Sequence, residues 1–458
     1  MDAITAALTA YSTGLDANRL TTRDREAVAH RLIDSLACAY GGIDGPPVLA
    51  LRRLAASRPL DGGCSAWGSA VRTTPELAAL ANGTALRYLD FNDYIVGGHP
   101  SDVIPAVVAA CEWIDGTVAD LVVAVTVSYE VFGELGRMLI RYRGWDQSTT
   151  AALAAACGVG RVLRLDAEQM ASAIGMVATA NIATGKARRG NLSMWKAVAG
   201  PYQARSGLLA AELAAAGVTA PHDAFAGEFG FLQQVSGDFE VERLDLSAGP
   251  RYVHATAEKH WPVHFDLQPA VWLGAKIRTD LGPDIGPDSI AEIRVETSEW
   301  TWKGTASDPA QWAPSNRESA DHSLPYVLAV ALSRGGIGHQ DFAAEAVSSG
   351  DHLAWLDRIT VDPAEDITAR STDFCTMRAV VIKADGTRHT FAVEEPRSKQ
   401  MTEAERRAKW LALTRPSRLA AGSDELLRSL TRLDDRQRVR DLLAPLTRTV
   451  GNGTQMCT

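Results

Sequence analysis

Apolar residues recur every four positions through TTRDREAVAHRLIDSLACAYGG, so Val28, Leu32, Leu36 and Tyr40 share one helical face before Gly41 and Gly42 end the pattern. That face predicts a core helix. Ala-rich amphipathic runs follow at Pro75 to Tyr88, Ser101 to Trp113, Val118 to Leu139, Thr149 to Leu163, Ala167 to Ala180 and Trp195 to Ala216, separated by Gly, Pro and Asp. Successive helices with short connections predict a bundle.

The period changes after about Asp266. Ile293, Val295 and Thr297 alternate with Glu292, Arg294 and Glu296, the pattern of a half-solvated strand over Ile290 to Thr297. Leu356 to Val361 reads as a second, shorter strand. In MRAVVIKADGTRHTFAVEE, β-branched residues flank Asp385-Gly386, a hairpin-turn dipeptide. An α+β unit is therefore expected over 267–398, with NRESADHSLPYVLAVALSRGG forming one or two helices on its sheet. Helix returns in 399–458, where Thr402 and Glu405 form a capping box and Ser423 precedes Leu426, Leu427, Leu430 and Leu433. These helices are expected to rejoin the helical part, 1–266, so the fold class is mainly α with an α+β part.

A chain of 458 residues is long enough for two or three domains at about 150 residues each. With 46% hydrophobic and 22% charged residues it is not a disordered protein. A net charge of −9 argues against a nucleic-acid partner. The longest uncharged stretch, Gln169 to Gly185, is interrupted by Ser, Thr and Asn and falls short of the ~20 apolar residues of a membrane span, so no membrane partner is expected. The start, MDAITAALTAYSTGLD, carries an acid where a signal peptide needs basic residues, and a cytoplasmic location is expected. Six cysteines without a C-x-x-C pair read as reduced core thiols.

Three segments concentrate chemistry. In YLDFNDYIVGGHPSDVIPA, Asp90, Asp93, His99 and Asp102 share a turn-rich stretch between two helices. A histidine beside an aspartate suits proton transfer next to a carboxylate. Helix capping by these aspartates and a metal site of Asp90, Asp93 and His99 are the alternatives. In GKARRGNLSMWKAVAGPYQAR, Lys186, Arg188, Arg189 and Lys196 precede or open a helix, a setting for anions. Apolar neighbours around Lys196 predict that it is partly buried. In EKHWPVHFDLQPA, Lys259, His260 and His264 flank Pro262 where the helical part gives way to the mixed part. Pro262 disfavours zinc bound by the two histidines on one helix. Asp321, His322 and Ser323 are adjacent and precede Pro325, which reads as a helix N-terminus and not as a triad.

Taken in order, LDFND with GHPSDVIPA, LSMWKAVAGPYQARSGLLAAELA with AFAGEFGF, EKHWPVHFDLQPA, and APSNRESADHSLPYVLAVAL resemble the MmgE/PrpD family of 2-methylcitrate dehydratases, cis-aconitate decarboxylases and epimerase-type relatives. The resemblance covers nearly the whole chain. It implies a large helical domain made from both chain ends, a smaller α+β lid, and a homodimer. It also implies work on di- or tricarboxylates without a metal or organic cofactor. Asp90, His99, Lys196, Lys259 and His264 fall at positions like the family's active-site residues, and Asp93, Ser101, Asp146, Gln147, Arg188 and Tyr326 are expected to bind substrate. Gln147 departs from the pattern, standing where relatives commonly have a histidine, and glutamine exchanges no proton at neutral pH. The expected activity is dehydration of a 2-methylcitrate-like hydroxy acid. Decarboxylation of a cis-aconitate-like acid, epimerisation, and carboxylate binding without catalysis are the alternatives.

Overall fold

The computed structural model describes residues 1–95, 98–138, 144–236 and 244–447. Two hydrophobic cores organise them. The first runs from Ile4 to Val253 and is completed by Trp410, Leu426, Leu430 and Leu442 from the chain's end. The second runs from Val263 to Phe391. The protein is mainly α with an α+β part.

The first core is built from the helices Thr22–Gly42, Pro75–Arg87, Ile104–Trp113, Val118–Met138, Ser148–Val162, Ala167–Ala180 and Trp195–Ala215. Small side chains let these helices approach closely. A Cβ at Gly207 would overlap the carbonyl oxygen of Ala152, so Trp195–Ala215 lies directly on Ser148–Val162. The run expected from Ser101 opens instead as a 3-10 turn, Pro100–Val103. Leu139, the expected end of another run, lies outside the described residues, as do Gly97 and Cys457. The capping box of Thr402 and Glu405 is formed and opens the helix Glu403–Thr414.

One feature of the body has no alternating signal in the sequence: strand β1 (Pro59–Ser65) pairs antiparallel with β2 (Arg72–Thr73). Its glycines carry no face to bury. It nevertheless anchors the helix Pro75–Arg87, because the Asn82 side chain accepts from Trp67 N–H and donates to the Ser65 carbonyl, both at 2.8 Å.

The second core lies under a four-stranded sheet in the order β4 (Ile359–Pro363), β3 (Ile290–Thr297), β5 (Phe374–Lys383), β6 (Arg388–Pro396). Only β3 and β4 run parallel, with Val295 opposite Val361. Ile293, Val295 and Thr297 are buried, and Gly386 turns the β5–β6 hairpin at φ +84°. The expected strand Leu356 to Val361 needs correction, since Leu356 belongs to a 3-10 helix, Asp351–Arg358. Three residues per turn put His352 and Trp355 on one side, and both are buried there. No described helix is long and apolar enough to cross a membrane.

Candidate functional site

Where the body meets the α+β part, four separated segments bring charged side chains onto Asp90. The first is the end of the helix Pro75–Arg87. Asp90 sits just beyond it at φ +49°, a left-handed conformation that aspartate tolerates better than most residues. The bend turns its carboxylate back onto Arg87, which also approaches Asn92 Oδ1 at 3.3 Å and Asp102 Oδ1 at 3.7 Å. Lys259 Nζ donates to Asp90 Oδ1 at 2.9 Å and to the Asp90 carbonyl at 2.8 Å. Lys196, in the first turn of Trp195–Ala215, lies 3.5 Å from Asp90 Oδ2 and 2.5 Å from Asp321 Oδ1. All three cationic partners of Asp90 are buried, and so is Asp321.

Three histidines surround these charges, and their partners fix the tautomers when neutral. His99 Nδ1 lies 2.6 Å from the Asp93 carbonyl, which can only accept, so Nδ1 carries the proton and Nε2 faces Asp90 Oδ1 at 3.8 Å with a lone pair. His264 Nδ1 instead accepts from Asp266 N–H at 3.2 Å, which leaves its proton on Nε2. His322 Nδ1 donates to Asp321 Oδ1 at 2.7 Å. The rings of His264 and His322 meet edge to face at 4.7 Å.

The electrostatics follow from burial among these charges. Burial alone would raise Asp90, but Arg87, Lys259 and Lys196 hold its carboxyl well below the usual range. Asp321 is likewise lowered against burial by Lys196 and His322. Burial, with Arg87 and Lys196 nearby, pushes Lys259 down to about 8 even though Asp90 opposes it. Burial and neighbouring cations keep His99 and His322 neutral, the latter down to about 3. Asp102, against whose carboxylate a Cβ at Gly200 would collide, is pushed up to about 7 by burial. With the histidines neutral and Asp102, at about 7, half-protonated at neutral pH, Arg87, Lys196 and Lys259 exceed the negative charge of Asp90, Asp321 and Asp102. The centre therefore favours an anion.

A cleft of ≈ 130 Å³ opens above it, with Arg188, Arg189 and Leu192 on the body's wall and Lys303, Gln311, Ser319 and His322 on the other. A larger hollow of ≈ 540 Å³ by Tyr11, Arg19 and Pro250 lies elsewhere and holds none of these groups.

Asp90, His99, Lys196, Lys259 and His264 thus lie in one neighbourhood. Asp93 and Ser101 stand behind it: Ser101 Oγ donates to Asp93 Oδ1 at 2.5 Å, and Tyr129 OH donates to Oδ2 at 2.6 Å. Asp146 accepts from Arg188 Nε at 3.2 Å, and Arg188 Nη1 donates to the Lys196 carbonyl at 2.7 Å, so this pair braces the start of the lysine's helix. Gln147 packs on Gly98, next to His99. Tyr326 is a correction. It is fully buried in the second core, and its hydroxyl donates to the Asp341 carbonyl at 2.5 Å, so it does not face the cleft. His260 faces Glu405 and Trp272 and does not converge with His264.

Arg87 is a site residue that the pattern along the chain did not single out, and Asp321 and His322, expected there only as part of a helix N-terminus, are two more. Ser323 does cap the helix Leu324–Arg334, as a helix N-terminus predicts, but the two residues before it turn inward. Asp90, Asp321 and His322 offer ligand atoms within 4.8 Å of one another, the spacing of a metal site. Lys196 Nζ lies between the two carboxylates, however, so an ammonium already supplies the positive charge there.

A buried cluster of ammonium groups, carboxylates and imidazoles under a cationic cleft is a centre that can hold an anion and move a proton. The chain belongs to the MmgE/PrpD family: residues 6–244 match the model of its N-terminal domain and residues 261–431 that of its C-terminal domain. A cis-aconitate decarboxylase-like protein of Aspergillus oryzae is 24% identical over 90% of both chains. A cis-aconitate decarboxylase of Aspergillus terreus is 26% identical, with 47% of this chain aligned to 46% of that one. Membership supports a lyase at the coarse level.

Proposed function

We propose that the protein is a cofactor-independent lyase that dehydrates a small hydroxy di- or tricarboxylate of the 2-methylcitrate type. The observation that carries this reading is the meeting of Lys196 and Lys259 on Asp90 beneath the cleft. The ammonium groups clamp substrate carboxylates, each charge-assisted hydrogen bond contributing about 1.5–3 kcal/mol. They also stabilise the charge that develops on a carboxylate as the adjacent C–H proton leaves. His99 supplies acid–base catalysis from the inner side, and His264, whose Nε2 carries the proton, donates a hydrogen bond to the departing hydroxyl. Oδ2 of Asp90 and Oδ2 of Asp321 are buried acceptors without a hydrogen-bond partner among the described residues. A substrate hydroxyl supplies the donor they lack, which favours a hydroxy acid.

A second reading, decarboxylation of a cis-aconitate-like acid, is favoured by the names of the relatives. It uses the same clamp but delivers a proton to carbon after CO₂ loss. Incubating the protein with citrate, 2-methylcitrate and cis-aconitate in deuterated water, with mass-spectrometric readout, separates the two. Loss of water supports dehydration, loss of CO₂ supports decarboxylation, and label uptake without mass loss indicates epimerisation. Thermal stabilisation by an acid without any turnover would leave only a binding protein.

The homodimer expected from the resemblance is part of the proposal. Met194, Trp195 and Tyr202, exposed at the start of the helix that carries Lys196, are the apolar surface a second copy would cover.

A further inference from the structure

The mechanism above leaves one acid–base group unused. His322 Nδ1 lies between two carboxylates, 2.7 Å from Asp321 Oδ1 and 3.6 Å from Asp90 Oδ2. Both are acceptors, so the ring proton is on Nδ1 and the lone pair on Nε2. The His322 ring forms part of the cleft wall, whereas His99 is 6% exposed and lies below it. Of the two histidines that present a lone pair, His322 is the one that meets the cleft.

We propose that His322, oriented by Asp321, is a second acid–base group beside His99 and the one that takes and returns the carbon-bound proton of the substrate. This rests on the polycarboxylate reading above. The C–H bond next to a substrate carboxylate breaks, the proton moves to His322 Nε2, and the electron pair enters the carboxylate as an enediolate beside Lys196. The imidazolium, facing Asp321, then gives the proton back to the same carbon, or to a departing hydroxide that leaves as water. In decarboxylation only the second half operates: the C–C bond to CO₂ breaks and its pair takes the proton from the imidazolium. No oxidant or co-reactant enters the balance.

The charge pattern makes the step responsive to substrate. Burial and Lys196 hold His322 down to about 3, which makes it a neutral but weak base. A bound carboxylate that neutralises Lys196 removes part of that depression and raises His322 towards the range where a base is effective.

The test follows deuterium entering the substrate or product carbon for the wild type, His322→Ala and Asp321→Asn, with the same acids, alongside ligand-induced thermal stabilisation. The expected result for His322→Ala is unchanged stabilisation by the acid, at least ~100-fold slower labelling, and partial recovery on adding imidazole. Asp321→Asn is expected to slow labelling less and to move its pH profile, which a merely structural contact would not do. His322→Gln keeps the ring's approximate bulk and replaces the alanine variant if that one unfolds. Labelling in the variant within threefold of wild type overturns the assignment while the lyase reading stands. Absence of labelling by the wild type with every acid that stabilises it overturns both.

Discussion

Lys196 and Asp321 stand 125 residues apart in the chain, yet Nζ and Oδ1 meet at 2.5 Å across the junction of the body and the α+β part. Each is 3% exposed or less. The contact joins the helix that opens with Lys196 to the segment that holds His322.

Removing one member of such a buried pair strands the other's charge, at a cost of typically 3–5 kcal/mol. Lys196→Met is therefore expected to destabilise the protein strongly and to abolish turnover. Lys196→Met combined with Asp321→Asn is expected to recover much of the stability without the activity. Denaturant titration of the single and double variants checks this, and additive losses would show that the two side chains are not coupled.

His99→Ala removes the imidazole whose Nε2 faces Asp90. Turnover of the acid identified by the screen is expected to fall ~10²–10⁴-fold. Stabilisation by that acid should persist, because Lys196 and Lys259 remain. An alanine variant with wild-type kcat would remove His99 from the chemistry.

Lys259 is an ammonium below about 8 and loses its charge above that value. Carboxylate binding through Lys259 is thus complete on the acid side and is lost as pH rises through it, so kcat/KM is expected to fall with a slope of one proton. Lys259→Arg, which stays charged, should move that limb upward at some cost in rate. A profile flat to pH 10 in the wild type would contradict the assignment.

His99 and His322 are both lowered in the folded state, while an unfolded chain has its histidines near 6.5. Their contribution to stability is therefore present above about pH 6.5 and is lost as pH falls towards their folded values. Tm is expected to drop between pH 7 and pH 5. His322→Gln should show a smaller drop, since one of the lowered histidines is gone.

Sedimentation at micromolar concentration is expected to show a dimer, and Trp195→Glu to give a monomer. A wild-type chain that sediments as a fully active monomer would discard the homodimer.

Much of this molecule was legible along the chain because period and burial are local properties. Val28, Leu32, Leu36 and Tyr40 sit four apart and all reach the core. Ile293, Val295 and Thr297 do the same at a spacing of two. The two cationic segments and the His99 loop stood out because polar residues inside apolar flanks need a reason to be there. What failed was short or unpatterned: β1 with its glycines, Leu356 in a 3-10 turn, and Tyr326, whose place in a motif said nothing of the direction in which its ring points.

The sequence by itself determined the helices, the sheet, and a store of lysines and histidines near a junction. Only the tertiary structure decided that Asp90 receives three cations at once, that Asp321 and His322 turn into the site, and which ring nitrogen of each histidine carries the proton. Those depend on distances and hydrogen-bond partners between segments far apart in the chain. Such contacts leave no period for a single sequence to display.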